Sequence, residues 1–297
     1  MALTLIYHSL GRYTDGIIAG TKAAEAQSGD RLLERFNIPS LPSVAARTWL
    51  VSCLAELGEF ARAAPLAREA LEVARKLGEP WTLVNAYLGL GILHIREGRI
   101  GTAIETLDDG LEICRRFNID VWLGPIALLR GHVATVEGGL DDTLTFLSQG
   151  LEQVKASGVR FYHSLGIIWM SEAKLRAGDV DDARRLAEEA LRDCQRFGER
   201  GNEAYALRLL GDIASRDPQE RDAIAEDLYR RALALAESLE MRPLIAQCHL
   251  SLGQWAAERD DPMIAVEHLS AAVTLFSQLG MARFVSASTT ELQRLRR

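Results

Sequence analysis

The chain carries its apolar and small residues at the spacing of an amphipathic helix. Between residues 86 and 116 the apolar positions recur every three or four residues, which is a helical and not a strand pattern. A Leu-Gly pair, Leu90 and Gly91, lies inside this first helix, and Gly98 ends it. Ala103 then begins the buried face of a second helix. The stretch therefore predicts two helices joined by a tight turn, a helical hairpin.

The same hairpin recurs along nearly the whole chain with a period of 40 residues. The small residue of the first helix recurs in steps of 40, 40, 40, 40 and 42, at Val51, Gly91, Gly131, Ser171, Gly211 and Gly253. The turn glycine recurs in steps of 40, at Gly58, Gly98, Gly138 and Gly178. Such columns indicate a solenoid of helical hairpins, with a two-residue insertion in the sixth unit near residues 217–219.

Each column of small residues has a steric reason. Glycine and alanine let the backbones of paired helices approach closely, whereas a large side chain at the same place would hold them apart. The fourth hairpin departs most from this pattern, because Arg130 replaces the leucine that precedes the marker and Thr143 and Gly150 weaken two further columns. We expect the fourth hairpin to pack least closely.

The columns divide the chain into the parts of one solenoid domain. Residues 1–28 form a truncated first hairpin, and residues 29–44 form a linker in which Pro39 and Pro42 forbid an uninterrupted helix. Residues 45–281 hold six hairpins of about 40 residues, and residues 282–297 form a capping helix. The short opening helix favours a fragment of a longer protein over an uncapped end.

These columns are similar to the tetratricopeptide (TPR) repeat, in the variant with longer helices. The resemblance covers almost the whole chain and implies an all-α, right-handed superhelix of about seven hairpins plus a C-terminal capping helix. Two segments, residues 32–60 and 241–254, resemble more narrowly the C-terminal TPR region of bacterial signalling proteins that carry a nucleotide cyclase and an AAA-type ATPase. That resemblance implies a role in bacterial signalling.

Composition and charge exclude several classes of partner. The formal net charge of −7 disfavours nucleic acid and anionic membranes as main partners. The four cysteines are scattered without a CxxC pair, as reduced core thiols of a cytoplasmic protein are. No apolar run is long enough to span a bilayer.

The sequence offers little support for catalysis. The six histidines show no HExxH or other metal-ligand spacing, and the chain lacks GxSxG and the GxxxxGK[ST] phosphate loop. Gly89 and Gly91 begin a GxGxxG pattern, but His94 occupies its third glycine position. We therefore expect no enzyme activity, no cofactor and no metal.

The TPR resemblance implies that ligands lie on the concave face, which the first helix of each hairpin lines. The positions near the marker residues then give a largely apolar floor with aromatic and basic side chains. The candidate ligand-binding residues are Trp49, Leu88, Ile92, Arg96, His132, Trp169, Arg176, Tyr205, Arg208 and Arg216. For each apolar residue the alternative is packing against a neighbouring hairpin. As a set they suit an amphipathic helix or a hydrophobic peptide.

Three of these residues, Arg96, Arg176 and Arg216, share one column and could pair with an acidic partner. The alternative is internal pairing, because Glu172 and Asp212 stand four residues before the second and third arginine. Arg96 has an isoleucine at that place, which makes it the strongest of the three candidates. The lysine and asparagine clamp of chaperone-binding TPR domains is absent.

The sequence thus predicts a non-enzymatic scaffold or sensor module that binds a protein or peptide, in a bacterial signalling protein. One alternative is the ligand-sensing domain of a peptide-responsive transcriptional regulator. Another is a module that self-associates through the open N-terminal hairpin.

Overall fold

A computed structural model describes residues 2–158, 160–216 and 223–295. Within these residues the chain is all-α, with fifteen α-helices, two short 3-10 turns (Gly29–Arg31 and Arg160–Tyr162) and no strand. The predicted insertion at residues 217–219 lies outside the described residues. The helices are α1 (Ala2–Ser9), α2 (Tyr13–Ala26), α3 (Pro42–Glu56), α4 (Phe60–Leu77), α5 (Pro80–Glu97), α6 (Ile100–Arg116), α7 (Asp120–Glu137), α8 (Leu140–Ser157), α9 (His163–Arg176), α10 (Val180–Phe197), α11 (Arg200–Arg216), α12 (Ala223–Ser238), α13 (Arg242–Ala257), α14 (Pro262–Leu279) and α15 (Ala282–Arg294).

Consecutive helices pack in pairs, and each pair packs on the next. Hairpin 1 is α1 with α2, hairpin 2 is α3 with α4, and so on to hairpin 7, which is α13 with α14. The last helix, α15, packs on α14, where the ring of Phe284 stacks on that of Phe276 at 4.9 Å between centroids. The all-α solenoid of about seven hairpins and a capping helix that the sequence predicts is confirmed.

The helix ends follow the local sequence. Gly98 ends α5 with φ of 75°, a backbone conformation that glycine adopts without steric cost, and its N–H donates to the carbonyl of Ile95 at 3.0 Å. At the other end of a helix, the carboxylate of Asp261 accepts a hydrogen bond from the N–H of Ile264 at 3.1 Å. Pro262 occupies the first turn of that helix, where its missing N–H has no cost.

The marker glycines bring the two helices of a hairpin into contact. A Cβ built on Gly91 would lie 2.6 Å from Cδ2 of Leu107, which is fully buried. On Gly131 it would lie 2.7 Å from Cγ of Leu147. Real Cβ atoms essentially never approach that closely, so glycine is required for the observed helix separation.

The expectation that hairpin 4 packs least closely is wrong. A Cβ on Gly150 would lie 2.8 Å from Cγ of Leu128, so glycine here lets α7 and α8 approach more closely than alanine would. The Arg130 side chain is accommodated at this interface, where it is only 15% exposed. Its Nε donates to Asp108 at 2.8 Å, and its guanidinium lies over the ring of Phe146.

The superhelix packs against itself. The turns that join the two helices of hairpins 1, 2 and 3 contact hairpin 6, hairpin 7 and α15, respectively. The turn of hairpin 1 lies on hairpin 6, where a Cβ on Gly11 would be 2.8 Å from the backbone nitrogen of Gly201. The turn of hairpin 2 lies on hairpin 7, where a Cβ on Gly58 would be 2.6 Å from Leu279. The turn of hairpin 3 lies on α15, where Gly98 meets Phe284. Each contact spans five repeat units, which is one turn of the superhelix.

Closure buries the second hairpin most of all. Every residue of α3, from Pro42 to Glu56, is buried, including the charged side chains of Arg47 and Glu56.

The four cysteines lie in four different helices, are buried and form no disulfide bond with one another. Burial raises the pKa of the Cys114 thiol to about 12. In the described part of the chain no helix combines the length and apolarity needed to cross a membrane.

We predict that Gly131→Ala destabilises the protein by about 1–3 kcal/mol, because its Cβ overlaps the fully buried Leu147. Gly101→Ala is the matched control. Gly101 also lies in a helix, but nothing lies within 4 Å of its Cβ position. Alanine there adds helix propensity and leaves stability unchanged or raises it by up to about 1 kcal/mol. Urea unfolding followed by circular dichroism measures both, and equal effects would contradict the packing role of Gly131.

A second pair of variants tests closure of the superhelix. Gly58 and Gly178 both end a first helix with positive φ, of 76° and 84°, so alanine strains both turns alike. Only Gly58 meets a later hairpin, whereas nothing lies within 4 Å of the Cβ position of Gly178. We expect Gly58→Ala to lower the unfolding free energy by about 1 kcal/mol or more beyond Gly178→Ala. A smaller loss in Gly58→Ala would contradict the contact between successive turns.

Candidate functional site

The concave side of the early hairpins is filled by an aromatic cluster. Trp49 of α3 is 3% exposed and lies edge-on to Phe161, with ring centroids 5.5 Å apart. Trp122 of α7 contacts both rings, at 6.4 Å and 6.2 Å between centroids. We call Trp49, Trp122, Phe161 and the neighbouring Tyr162 the aromatic plug. These rings join hairpin 2 to hairpin 4 and to the 3-10 turn before α9, so large side chains occupy this part of the interior.

An ion pair beside the plug, with one tyrosine, links hairpins 2 and 3 to hairpin 6. Arg96 of α5 donates through Nε and Nη2 to Oε1 of Glu56, at 2.8 Å and 2.7 Å. Tyr205 of α11 donates through its hydroxyl to Oε2 of the same carboxylate at 2.9 Å, and its ring lies against the Arg96 guanidinium. Their side chains are 4% (Glu56) and 10% (Arg96) exposed. We call these three residues the interior latch.

The latch leaves Arg96 unavailable to a ligand. Burial by itself would lower the pKa of Arg96, but the adjacent Glu56 charge raises it, so the guanidinium stays charged. Removing one partner of such a buried pair is strongly destabilising, by about 3–5 kcal/mol, because the other charge is left without compensation. Arg96 therefore stabilises the contact between successive turns of the superhelix.

Beyond the latch the superhelix encloses a cavity of about 420 Å³, the central cavity. Its walls come from the first helices of hairpins 3 to 7, which are α5, α7, α9, α11 and α13, with single residues from α6, α12 and α15. Much of the wall is apolar. The apolar lining residues are Ile95, Ile100, Val136, Leu165, Ile168, Leu175, Leu209, Leu250 and Phe284.

One side of the cavity carries a histidine, a tryptophan and a glutamate. His132 stacks on Trp169 with 4.8 Å between ring centroids and 19° between planes. Its Nδ1 lies 3.5 Å from Oε2 of Glu172, whose other oxygen accepts from Arg176 at 3.3 Å. Burial would raise the pKa of Glu172, but the adjacent His132 imidazole and the nearby arginines lower it to about 2. The carboxylate is therefore ionised at any physiological pH.

The neighbouring carboxylate, Asp212, is saturated by internal donors. It accepts from Nη1 of Arg208 at 2.7 Å, from the Tyr229 hydroxyl at 2.9 Å and from the Ser251 hydroxyl at 3.2 Å. The alternative pairing of Asp212 with Arg216 does not occur. Arg216 reaches across to α9, where its Nη1 donates to the carbonyl of Leu175 at 3.1 Å.

The structure brings most of the sequence-predicted residues to this cavity. The lining includes Arg96, His132, Trp169, Arg176, Tyr205, Arg208 and Arg216. Trp49, Leu88 and Ile92 lie elsewhere, and all three are buried. Their column positions do face the axis of the superhelix, but closure packs the early hairpins against one another there, so these side chains are core.

Sequence reasoning missed Glu56, although the repeat contains the signal. Glu56 stands 40 residues before Arg96 and so occupies the same column one hairpin earlier. The same relation links His132, Glu172 and Asp212, which follow one another at intervals of 40. Opposite charges in one column of adjacent hairpins are within reach of each other, and this interhairpin pairing competes with the i,i+4 pairing considered from the sequence. Among the described residues no group of three or more histidine, cysteine or acidic side chains is arranged to hold a metal ion.

The low pKa of Glu172 gives a pH-dependent prediction. A carboxylate whose pKa is lower in the folded than in the unfolded state stabilises the fold above its unfolded pKa, and this stabilisation disappears as the pH falls toward 2. We expect Glu172→Gln to be less stable than wild type by on the order of 2 kcal/mol at pH 7, with the difference vanishing near pH 2. Glu188→Gln on the exposed side of α10 is the control, and unfolding at stepped pH is the measurement. A difference that persists at pH 2 would assign the effect to lost packing.

Comparison with known proteins supports the same fold. Residues 44–116 match the family model of the tetratricopeptide repeat. No curated protein matches the sequence. The Rap conjugation gene regulator of plasmid pLS20, in complex with the Phr* peptide, superposes with a TM-score of 0.68 at 16% identity, over 91% of this chain and 70% of that one.

Two further structures superpose over nearly the whole chain. The APC/C hetero-tetramer Cut9-Hcn1 gives a TM-score of 0.64 at 15% identity, over 99% of this chain and 52% of that one. A Signal Transduction ATPase with Numerous Domains (STAND) protein with a tetratricopeptide repeat sensor, from Pyrococcus horikoshii, gives 0.50 at 16% identity, over 94% of this chain and 44% of that one. The chain thus spans about half the length of these two. Residues 44–116 thus match the tetratricopeptide repeat, and the chain as a whole has the fold of a helical solenoid similar to that of these proteins.

Proposed function

We propose that this protein is a non-enzymatic sensor module that binds a short peptide inside the central cavity. The observation that carries the proposal is the cavity itself. Helices from five hairpins line about 420 Å³ of space, with apolar and polar side chains in similar measure. Ligand sites in proteins are concave, span roughly 300–1,000 Å³ and combine apolar side chains with polar groups that fix the orientation of the ligand.

The size of the cavity favours a short peptide over the amphipathic helix considered from the sequence. A helix with side chains is about 10 Å wide and rises 1.5 Å per residue, so one turn occupies roughly 400 Å³. The whole cavity therefore holds about one helical turn. A few residues in extended conformation fit the same space and can place alternate side chains on opposite walls.

The ionisable groups of the cavity support a binding and not a catalytic role. Glu172 has a pKa of about 2, as the burial that would raise it is outweighed by His132 and the arginines, so it is a poor general base near neutral pH. Asp212 is occupied by three donors. Neither carboxylate is poised to move a proton.

The comparisons support a sensor role without identifying the ligand. One superposing structure is a gene regulator with a bound peptide, and another is an ATPase with a TPR sensor. We propose that this chain acts in bacterial signalling and reports its bound peptide to a cyclase or ATPase domain. The alternative, the sensing domain of a peptide-responsive transcriptional regulator, uses the same cavity and differs in the domain that receives the signal.

Blocking the cavity tests the proposed function. Gln254 of α13 lines the cavity with an exposed side chain, so Gln254→Trp fills space there with little disturbance of the core. We expect wild-type protein to retain members of a random hexapeptide mixture, read out by mass spectrometry after gel filtration, and Gln254→Trp to retain at least about tenfold less. The indole ring of the new tryptophan occupies cavity volume that the peptide needs.

Gln293→Trp is the matched control, since Gln293 is exposed on α15 away from the cavity. It should retain peptides as the wild type does. Equal retention by Gln254→Trp and wild type would move the site out of the cavity, and retention of nothing by wild type would refute peptide binding.

A further inference from the structure

One repeat column that borders the cavity contains three arginines. The fold neutralises one of them and leaves the other two accessible to a ligand. At intervals of 40 residues the column holds Glu56, Arg96, Val136, Arg176 and Arg216. The first two neutralise each other in the interior latch. Arg176 is 43% exposed and makes a single 3.3 Å contact, with a Glu172 oxygen. Among the described residues Arg216 donates only to the Leu175 carbonyl and is exposed.

The two available arginines lie side by side at one edge of the cavity. Both line it, each as the last residue of its helix, Arg176 in α9 and Arg216 in α11. The Arg216 guanidinium reaches the carbonyl of Leu175, the residue that precedes Arg176, so the end of the Arg216 side chain lies near the backbone from which the Arg176 side chain starts. A guanidinium offers five donors in a planar fork, and at both residues only one of these donors has a hydrogen-bond partner among the described residues.

The carboxylates of Asp212 and Glu172 in the cavity, in contrast, are engaged internally. Asp212 accepts from Arg208, Tyr229 and Ser251, and Glu172 accepts from Arg176 and faces His132. Glu258 follows Arg216 in the column, but it points mainly to solvent, with its side chain 70% exposed and within 4.0 Å of Arg259. A ligand therefore meets cationic donors at this edge, whereas the two buried carboxylates of the cavity already have partners.

From this arrangement we propose that the ligand presents a carboxylate to Arg176 and Arg216 while its apolar side chains contact the apolar residues of the lining. This inference rests on the proposed function, since it specifies which peptides the cavity takes. Paired arginines bind a carboxylate in a fork geometry that neutral groups do not reproduce. The carboxylate can belong to the C-terminus of the peptide or to an aspartate or glutamate side chain, and the test distinguishes these sources.

Three synthetic hexapeptide pools separate the sources of the carboxylate. The first has a free C-terminal carboxylate and no acidic side chain. The second has an amidated C-terminus and one aspartate or glutamate at varied positions, and the third is amidated without acidic residues. Each pool is incubated with wild-type protein, and the retained peptides are counted by mass spectrometry after gel filtration. We expect retention from the first or second pool to exceed that from the third about tenfold or more.

The arginine dependence is measured on the best retained peptide. Arg176→Gln with Arg216→Gln should raise its Kd about ten- to a hundredfold, the effect of losing charge-assisted hydrogen bonds. Arg185→Gln with Arg192→Gln is the matched control. These two arginines of α10 are 59% and 68% exposed and do not line the cavity, so Kd should stay unchanged. Thermal unfolding by circular dichroism confirms that both double variants are folded.

The outcomes separate the two proposals. Retention from the first pool alone assigns the C-terminal carboxylate, and retention from the second alone assigns an acidic side chain. Equal retention from all three pools, or an unchanged Kd in the Arg176 and Arg216 double variant, overturns the carboxylate inference and leaves peptide binding in place. No retention from any pool by the wild-type protein refutes peptide binding itself.

Discussion

Contact between successive turns of the superhelix is the constraint on which the rest of this structure depends. Hairpin 1 lies on hairpin 6 through Gly11, hairpin 2 lies on hairpin 7 through Gly58, and hairpin 3 lies on α15 through Gly98. At Gly58 and Gly98 glycine is needed for two reasons. The backbone has a positive φ where a helix ends, and a side chain would collide with the next turn of the superhelix. A solenoid usually buries only the faces between neighbouring repeats. Here closure also buries α3 on all sides.

Closure has a different consequence at each end of the superhelical axis. Near the early hairpins, large rings fill the interior, and the charged groups that lose water there neutralise each other, Glu56 with Arg96. Near the later hairpins, the side chains of α5, α7, α9, α11 and α13 do not fill the interior and leave the central cavity. Under the proposed function, a ligand in this cavity touches several hairpins at once and so binds the closed superhelix better than an opened one. That differential affinity is the physical requirement for a sensor.

Whether a charged side chain near the cavity is neutralised depends on the residue that faces it and not on its position in the repeat. Arg96, Arg176 and Arg216 share a column, but only Arg96 has an acid in the preceding hairpin at the matching place. His132 and Glu172 meet across hairpins, and Asp212 collects donors from its own helix and from two others. Pairing between hairpins competes with pairing within a helix, because repeat stacking places equivalent positions next to each other. The polar groups that a ligand meets are those left over from this competition.

The sequence by itself determined the all-α class, the 40-residue repeat, the helix-ending glycines and the side of each hairpin that faces the axis, because these depend on spacing within one or two helices. Most of the candidate residues that it predicted, including Trp169 and Arg208, do line the cavity, since column positions follow from the repeat. Only the tertiary structure decided that Trp49 is core, that Arg96 is neutralised and that hairpin 4 packs closely. These outcomes depend on the small rotation between adjacent hairpins, which accumulates over five repeats before two turns meet. That rotation depends on side-chain packing at every interface between hairpins. The total rotation over five repeats therefore does not follow from the pattern of any single repeat.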